Sequence, residues 1–267
     1  MPPEPGVALA VTVHDPGRRL VGMIGAHLPA LMAHYAAVSA YCSRNTNSTV
    51  LDVLRAHNVH VVVDGNEPSG IEGIGAVRRE AVRAGLRAGT THLQLCDFDR
   101  ALHWVAHYPA ELGAVLAEIP SYDLLVLGRT ARAWATHPAY QAETEPLFNK
   151  VFALVSGLDW DVGAGSRGFS RRGAETLLAL SRDDSVGTDA EWPLLLLRQP
   201  GFRVGQRLCE GLEFETADAF GPEIEAVGGY AAWEARMSAD PARWVFRMRL
   251  ALFIAEAALR FSGVDRI

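Results

Sequence analysis

The sequence predicts an α/β domain, a mostly parallel sheet flanked by helices, followed by a C-terminal helical extension. Three observations predict it. Strand-like and helix-like segments alternate four times over the first hundred residues, the pattern of a parallel sheet covered on both faces. The strand candidates include short continuous apolar runs, as strands buried on both sides require. Each gives way to a turn, after His14, Cys42, Asp64 and Asp97, and ligands of such sheets bind outside the carboxyl ends of the strands.

The elements follow in order. Val7–Val13 is an apolar, branched strand closed by the turn signal His14-Asp15-Pro16-Gly17. Leu20–Ala33 has Leu20, Met23, Ile24, His27, Leu28 and Leu31 at helical spacing. Tyr35–Tyr41 is a second strand, closed by a polar run from Cys42 to Ser48; Thr49–His57 is a short helix and Val59–Val63 a third strand. Gly70–Gly89 is helical, with Ile74, Val77, Ala81, Ala84 and Ala88 as its buried stripe and Arg79, Arg83 and Arg87 on a solvated face. A fourth strand, His92–Cys96, ends in Asp97 and Asp99. The second half is less regular: a helix over Leu102–Ile119, a strand over Tyr122–Leu127 closed by Gly128-Arg129-Thr130, and a helix over Glu143–Ser156. A glycine-rich loop, a short strand and a helix fill residues 158–180, and Asp189-Ala190-Glu191-Trp192-Pro193 introduces the apolar run Leu194–Leu197. Gly201–Leu208 and Leu212–Glu215 are expected as edge strands. The tail is a long helix that Asp240 can cap, with Pro241 in its first turn and Gly263 beyond its end.

Bulk properties exclude several classes. A net charge of −6 and a pI near 5.8 argue against a nucleic-acid surface, which needs a basic patch. Three well-separated cysteines, Cys42, Cys96 and Cys209, form neither a metal motif nor a disulfide framework, so a reducing compartment, the cytoplasm, is expected. The first residues lack a basic leader and cleavage pattern, so no signal peptide is expected, and no membrane span is expected either. The arginines of the tail helix, Arg243, Arg247 and Arg249, suit a helix packed on the domain; a homodimer contact or a membrane-surface contact stays open.

The chemistry concentrates in THLQLCDFDR, residues 91–100. An extended chain turns alternate side chains to one side, so Asp97 and Asp99 at a strand's end can be directed to one point. Hard oxygen ligands of this kind suit Mn²⁺ or Mg²⁺ shared with a substrate phosphate, although Asp is also a common strand-ending residue. Arg78 flanks the buried stripe of its helix and can turn toward a pyrophosphate or stay on the surface. Arg129 closes a strand at the same rim, as a substrate ligand or a structural ion pair. His14 and Asp15 follow the first strand, where they can touch a nucleotide or simply form a turn. His103 and His107 stand four apart on one helix face, a spacing that can hold a metal but lacks an evident third ligand. Trp104 beside them stacks on a sugar or fills the core.

Four patches in order resemble the GT-A glycosyltransferases, in particular the family-2-like enzymes that use nucleotide-sugar donors. They are VALAVTVHDP, then GIEGIGAVRREAVRAGLRAGTTHLQLCDFD, then LVLGRTARA with the Gly-Ser-Arg-Gly-Phe-Ser-Arg stretch at 165–171, and finally GTDAEWPLLLLRQPGFRVGQRLCEGLEFET, together spanning roughly residues 7–216. The chain departs at the end of the second strand, where many of these enzymes carry Asp-Asp-Gly-Ser and this one has Cys42-Ser43-Arg44-Asn45-Thr46-Asn47. The resemblance implies a GT-A-like domain over residues 1–220, a helical extension over 221–267, and metal-dependent, inverting transfer of a sugar from a nucleotide-diphosphate sugar. It implies Asp97 facing the donor ribose or metal, Asp99 as a metal ligand, and Asp189 or Glu191 as the base that deprotonates the acceptor. A nucleotidyltransferase of related fold, or a non-catalytic binding protein built on it, remains an alternative.

Overall fold

A computed structural model describes residues 4–65 and 70–262. Seven strands form one mixed sheet: β1 (Glu4–Val13), β2 (Ala37–Cys42), β3 (His60–Val63), β4 (Thr90–Asp97), β5 (Leu124–Arg129), β6 (Ser166–Ser170) and β7 (Val204–Cys209), in the order β3-β2-β1-β4-β6-β5-β7. All neighbours are parallel except β6, which runs antiparallel between β4 and β5. The first four strand–helix units therefore place their carboxyl ends on one edge, and β5 adds its own beside them.

Strand β1 is buried on both faces. Val7, Leu9, Val11 and Val13 join the core under the helices Val21–His34, Ser48–Ala56, Phe98–His107 and Pro109–Glu118. Ala8 and Ala10 face the other way, toward the helix Gly70–Leu86, where small residues are needed. A Cβ at Gly85 would come within 2.9 Å of the Ala10 methyl, so helix and strand touch almost backbone to backbone. A third core, from Phe148 and Phe152 through Ala190 and Leu194 to Ala251 and Ile254, fastens the final helix Pro241–Leu259 to the domain. Among the described residues, no helix is long and apolar enough to cross a membrane. Asp240 caps the final helix through Ala242 N, and Gly263 lies outside the described residues.

Several expectations are corrected. The helix expected over Leu102–Ile119 is two, Phe98–His107 and Pro109–Glu118. Pro109 supplies no N–H and disfavours the helical region at Tyr108, whose φ and ψ of −134° and 49° mark the break. Leu212–Glu215 is not a strand but a link between short 3₁₀ turns. Glu111 draws that chain inward by accepting from the N–H groups of Glu210 and Gly211, each at 2.8 Å. Gly211 then lies flat on the Trp104 indole, with no room for a Cβ, so Trp104 is core, its Nε1 donating to Glu111. Arg79 does not share the solvated face of Arg83 and Arg87. It reaches Asp184 and the carbonyl of Asp183, pinning the loop before the helix Thr188–Leu197. Of the expected stripe, Ala88 is exposed, and Ile74 and Val77 turn toward the rim.

Candidate active site

A cavity of about 500 Å³ opens where the strands end. Thr12 and Val13 at the end of β1 with His14 after it, Tyr41 and Ser43 at β2, Asp64 after β3, Asp97 of β4 and Arg129 of β5 all line it. Its far wall comes from the final helix, through Phe246, Arg247 and Leu250. The volume falls within the range of pockets that enclose a small ligand.

Asp97 is the last residue of β4 and pairs in register with Thr12, whose hydroxyl donates to Asp97 Oδ1 at 2.8 Å. Gly165 lies against the other oxygen at φ +70°, a conformation glycine adopts freely; a Cβ there would approach Asp97 Oδ2 to 2.9 Å. The strand alternation expected to bring Asp99 alongside does not hold, because the next helix begins at Phe98. Asp99 sits in its first turn and does not line the cavity. Burial first, then the charges of Glu215 and Asp97, push the Asp99 carboxyl up to about 7. Arg100 donates from Nη2 to Glu215 Oε1 at 2.8 Å, while Glu215 Oε2 is buried with no hydrogen-bond partner.

Of the acids Asp97, Asp99 and Glu215 near Arg100, Glu215 pairs with its guanidinium and Asp99 accepts from its backbone N–H, and one Glu215 oxygen is left orphaned. Oxygen-only donors of this kind suit a divalent cation such as Mn²⁺ or Mg²⁺, and of the three acids Asp97 and Glu215 line the cavity where it would sit, whereas Asp99 does not. Their ligand atoms do not all lie within 4.8 Å of one another. At metal–oxygen distances of about 2.1 Å two ligands of one ion lie no more than about 4.2 Å apart, so the three acids do not all hold one ion in this arrangement; waters and a substrate phosphate would complete the shell of an ion held at Asp97.

Asp189 reaches the cavity wall, but its Oδ1 is shared by Arg78 Nη1 at 2.7 Å and Arg167 Nη2 at 2.5 Å. The loop that delivers it packs on the glycine-rich start of the helix Gly70–Leu86, where a Cβ at Gly75 would lie 2.5 Å from the Ser185 carbonyl. Pro193, inside the helix Thr188–Leu197, cannot donate to the Asp189 carbonyl one turn back; Arg167 Nη2 approaches that carbonyl at 3.3 Å instead. Glu191 is corrected as a candidate base. It does not line the cavity, and it accepts from Ser181 Oγ at 2.6 Å and from the N–H groups of Arg182 and Asp183 at 3.0 and 3.1 Å. It organises a loop.

Asp15 is likewise corrected as a nucleotide contact. Its two oxygens accept from Arg19 N and Leu20 N, each at 2.9 Å, so it is the structural residue of the turn and is absent from the cavity wall. His14 does line the cavity, with Nδ1 2.7 Å from Ser43 Oγ. Arg129 is both a wall residue and an ion-pair centre: it makes two side-chain bonds to Asp161, one to Glu145 at 2.7 Å, and lies 3.8 Å over the Trp134 ring. Arg78 is turned inward, buried at the wall.

His137 also lines the cavity, donating from Nδ1 to the Ala133 carbonyl at 3.0 Å. Burial, then the nearby Arg129 and Arg100 charges, lower its pKa to about 3. The unfolded chain takes up this proton near pH 6.5, whereas the folded chain excludes it until about pH 3. The stabilisation is therefore complete above about pH 6.5 and is lost as pH falls through that window, by at most about 1.4 kcal/mol per pH unit. His137→Asn is expected to flatten the acid limb of a urea-unfolding stability profile between pH 7 and 4; an unchanged slope would show that His137 is not buried neutral.

Sequence reasoning passed over Glu215, Arg100, Arg167, Glu145 and Asp161. Glu215 carried a signal, an acid between apolar and small residues, but its partner Arg100 is 115 positions away. Arg167 sits in a short strand of small residues, and nothing local announces that it meets Asp189.

No protein-family model matches the chain, and no curated protein matches it by sequence. Solved structures do match by fold. Glucosyl-3-phosphoglycerate synthase from Mycobacterium tuberculosis, in complex with Mn²⁺, UDP and phosphoglyceric acid, superposes with a TM-score of 0.50 at 15% identity, over 75% of this chain and 67% of that one. The same enzyme in complex with Mn²⁺, UDP-glucose and phosphoglyceric acid gives 0.45 at 14%, and with Mg²⁺ and UDP 0.43 at 16%, each over 75% of this chain and 68% of the other. The mostly parallel sheet and its flanking helices are those of a GT-A-like fold.

Proposed function

We propose that the chain is a nucleotide-sugar-dependent glycosyltransferase that uses Mn²⁺ or Mg²⁺ and transfers its sugar with inversion. The observation that supports this most is the cavity itself: Asp97 stands among Arg78, Arg100 and Arg129 at the carboxyl edge of a GT-A sheet. The structural neighbour, crystallised with Mn²⁺ and UDP, agrees with that reading.

A leaving nucleoside diphosphate gathers negative charge, and fixed cations stabilise it best when they need not reorganise. Arg78 is held by Asp189 and faces the cavity beside Asp97, so it is our pyrophosphate ligand. His14, Tyr41, Ser43 and Asp64 line the side near β1 to β3 and would receive the nucleoside. A divalent cation, when bound at the acidic rim, supplies Lewis-acid charge to the same phosphates. The Thr12 hydroxyl, donating to Asp97 Oδ1, fixes the carboxylate that would hold it. Asp189, paired with two buried arginines, positions Arg78; as the base, it would have to accept the acceptor's proton through its second oxygen.

The acceptor would enter beside Arg247, Phe246 and Leu250, so the extension 221–267 completes the site of the 1–220 domain rather than standing apart from it. We assign the protein to the cytoplasm, since all three cysteines are free and buried. Incubation with UDP- or GDP-sugars and Mn²⁺, followed by NMR, tests the reading: slow release of nucleoside diphosphate, abolished by EDTA, is expected. Transfer of a nucleotidyl group, seen as released pyrophosphate from a nucleoside triphosphate and sugar phosphate, would replace it with the nucleotidyltransferase reading.

A further inference from the structure

A second group of ligand-forming side chains lies outside the cavity just described. His103 and His107 project from one face of the helix Phe98–His107, with ring centroids 4.5 Å apart. The 3₁₀ segment Glu215–Phe220 brings Asp218 beneath them, its Oδ2 2.7 Å from His103 Nδ1. One ligand atom from each of the three lies within 4.8 Å of the others, which among the described residues no other such group achieves. We propose that these three residues form a binding site for a borderline transition-metal dication of the Zn²⁺ class, separate from the oxygen-only rim.

The surroundings support a built site. The far nitrogen of His103, Nε2, lies 3.1 Å from Glu213 Oε1, and Arg132 Nη1 holds the other oxygen of Glu213 at 2.6 Å. A carboxylate on the distal nitrogen fixes the tautomer and orientation of a metal-binding imidazole and makes it a better ligand. Both ring nitrogens face carboxylate oxygens that accept, so in the ion-free site Nε2–H donates to Glu213 and Nδ1–H to Asp218. An incoming ion takes the Nδ1 position now used by the hydrogen bond to Asp218, and the displaced proton leaves to solvent. His107 and Asp218 are exposed while His103 is buried, so one side stays open for water. Two imidazoles and one carboxylate favour Zn²⁺ and similar ions, whereas Mg²⁺ and Mn²⁺ favour all-oxygen shells.

The consequence is mechanical. The site ties the helix that carries Asp99 in its first turn to the segment that begins with Glu215, a wall residue of the cavity. An ion bound there fastens the Glu215 side of the rim without touching substrate. This site stands whether or not the transferase reading does.

The test is calorimetric titration of metal-free, tag-free protein with Zn²⁺, with Co²⁺ absorption as a spectroscopic probe. Saturable one-to-one binding is expected, weakened more than about tenfold by His107→Ala and by Asp218→Asn. Both residues are exposed, so both variants should fold, which circular dichroism checks. Asp97→Asn should leave Zn²⁺ affinity unchanged. Absence of saturable binding, or binding that survives both substitutions or vanishes only with Asp97→Asn, would overturn the site.

Discussion

Asp189→Ala is expected to destabilise the fold by about 3–5 kcal/mol, the cost of stranding buried charge when one partner of an ion pair is removed. Its carboxylate faces two buried guanidinium groups: Arg167, 1% exposed, forms no other ion pair among the described residues, and Arg78, 6% exposed, opens only onto the cavity. Arg167 already leaves Nε and Nη1 without partners, so it has little reserve of hydrogen bonds. Urea unfolding monitored by circular dichroism measures the loss. Asp189→Asn keeps an acceptor but not the charge, and should fall between wild type and alanine. If alanine at this position changes stability by less than about 1 kcal/mol, the two arginines are solvated or paired otherwise, and Asp189 becomes available again as a catalytic base.

Asp97→Asn is the opposite case, a loss of binding with little loss of fold. The amide oxygen can still accept from Thr12, and the substitution removes one of the charges that crowd Asp99. Binding of nucleoside diphosphate in the presence of Mn²⁺ should fall at least about tenfold. The thermal stabilisation it gives, about 2.7 kcal/mol at a hundredfold excess over Kd, should largely vanish. Isothermal titration of wild type and variant, each with metal and with EDTA, separates the contributions. Equal affinity with and without the carboxylate would remove Asp97 from the metal site.

The sheet was legible because its signals are local. Apolar runs closed by turn residues place each of the first four strands within a few positions, and the acidic rim follows from where β4 ends. The chemistry of individual side chains was less legible, since it depends on partners far along the chain. Arg78 meets Asp189 across 111 positions, and Arg100 meets Glu215 across 115. The pairing of Asp97 with Asp99 failed for a local reason: the strand geometry stops one residue earlier than the alternation assumed. Asp15 and Glu191 look like site acids by position, yet backbone N–H groups claim their oxygens. Pro109 announced its helix break in the sequence, where the apolar spacing on either side masked it.

The measurement that tests the central claim most directly is a thermal-shift panel of UDP, GDP and their sugars, each with Mn²⁺, Mg²⁺ or EDTA. A ligand that binds only the folded chain raises its melting temperature with occupancy. The account predicts a shift with one nucleotide class that requires metal and disappears in Asp97→Asn. A folded sample that shifts with none of them, or shifts equally in EDTA, would contradict a metal-dependent nucleotide-sugar site.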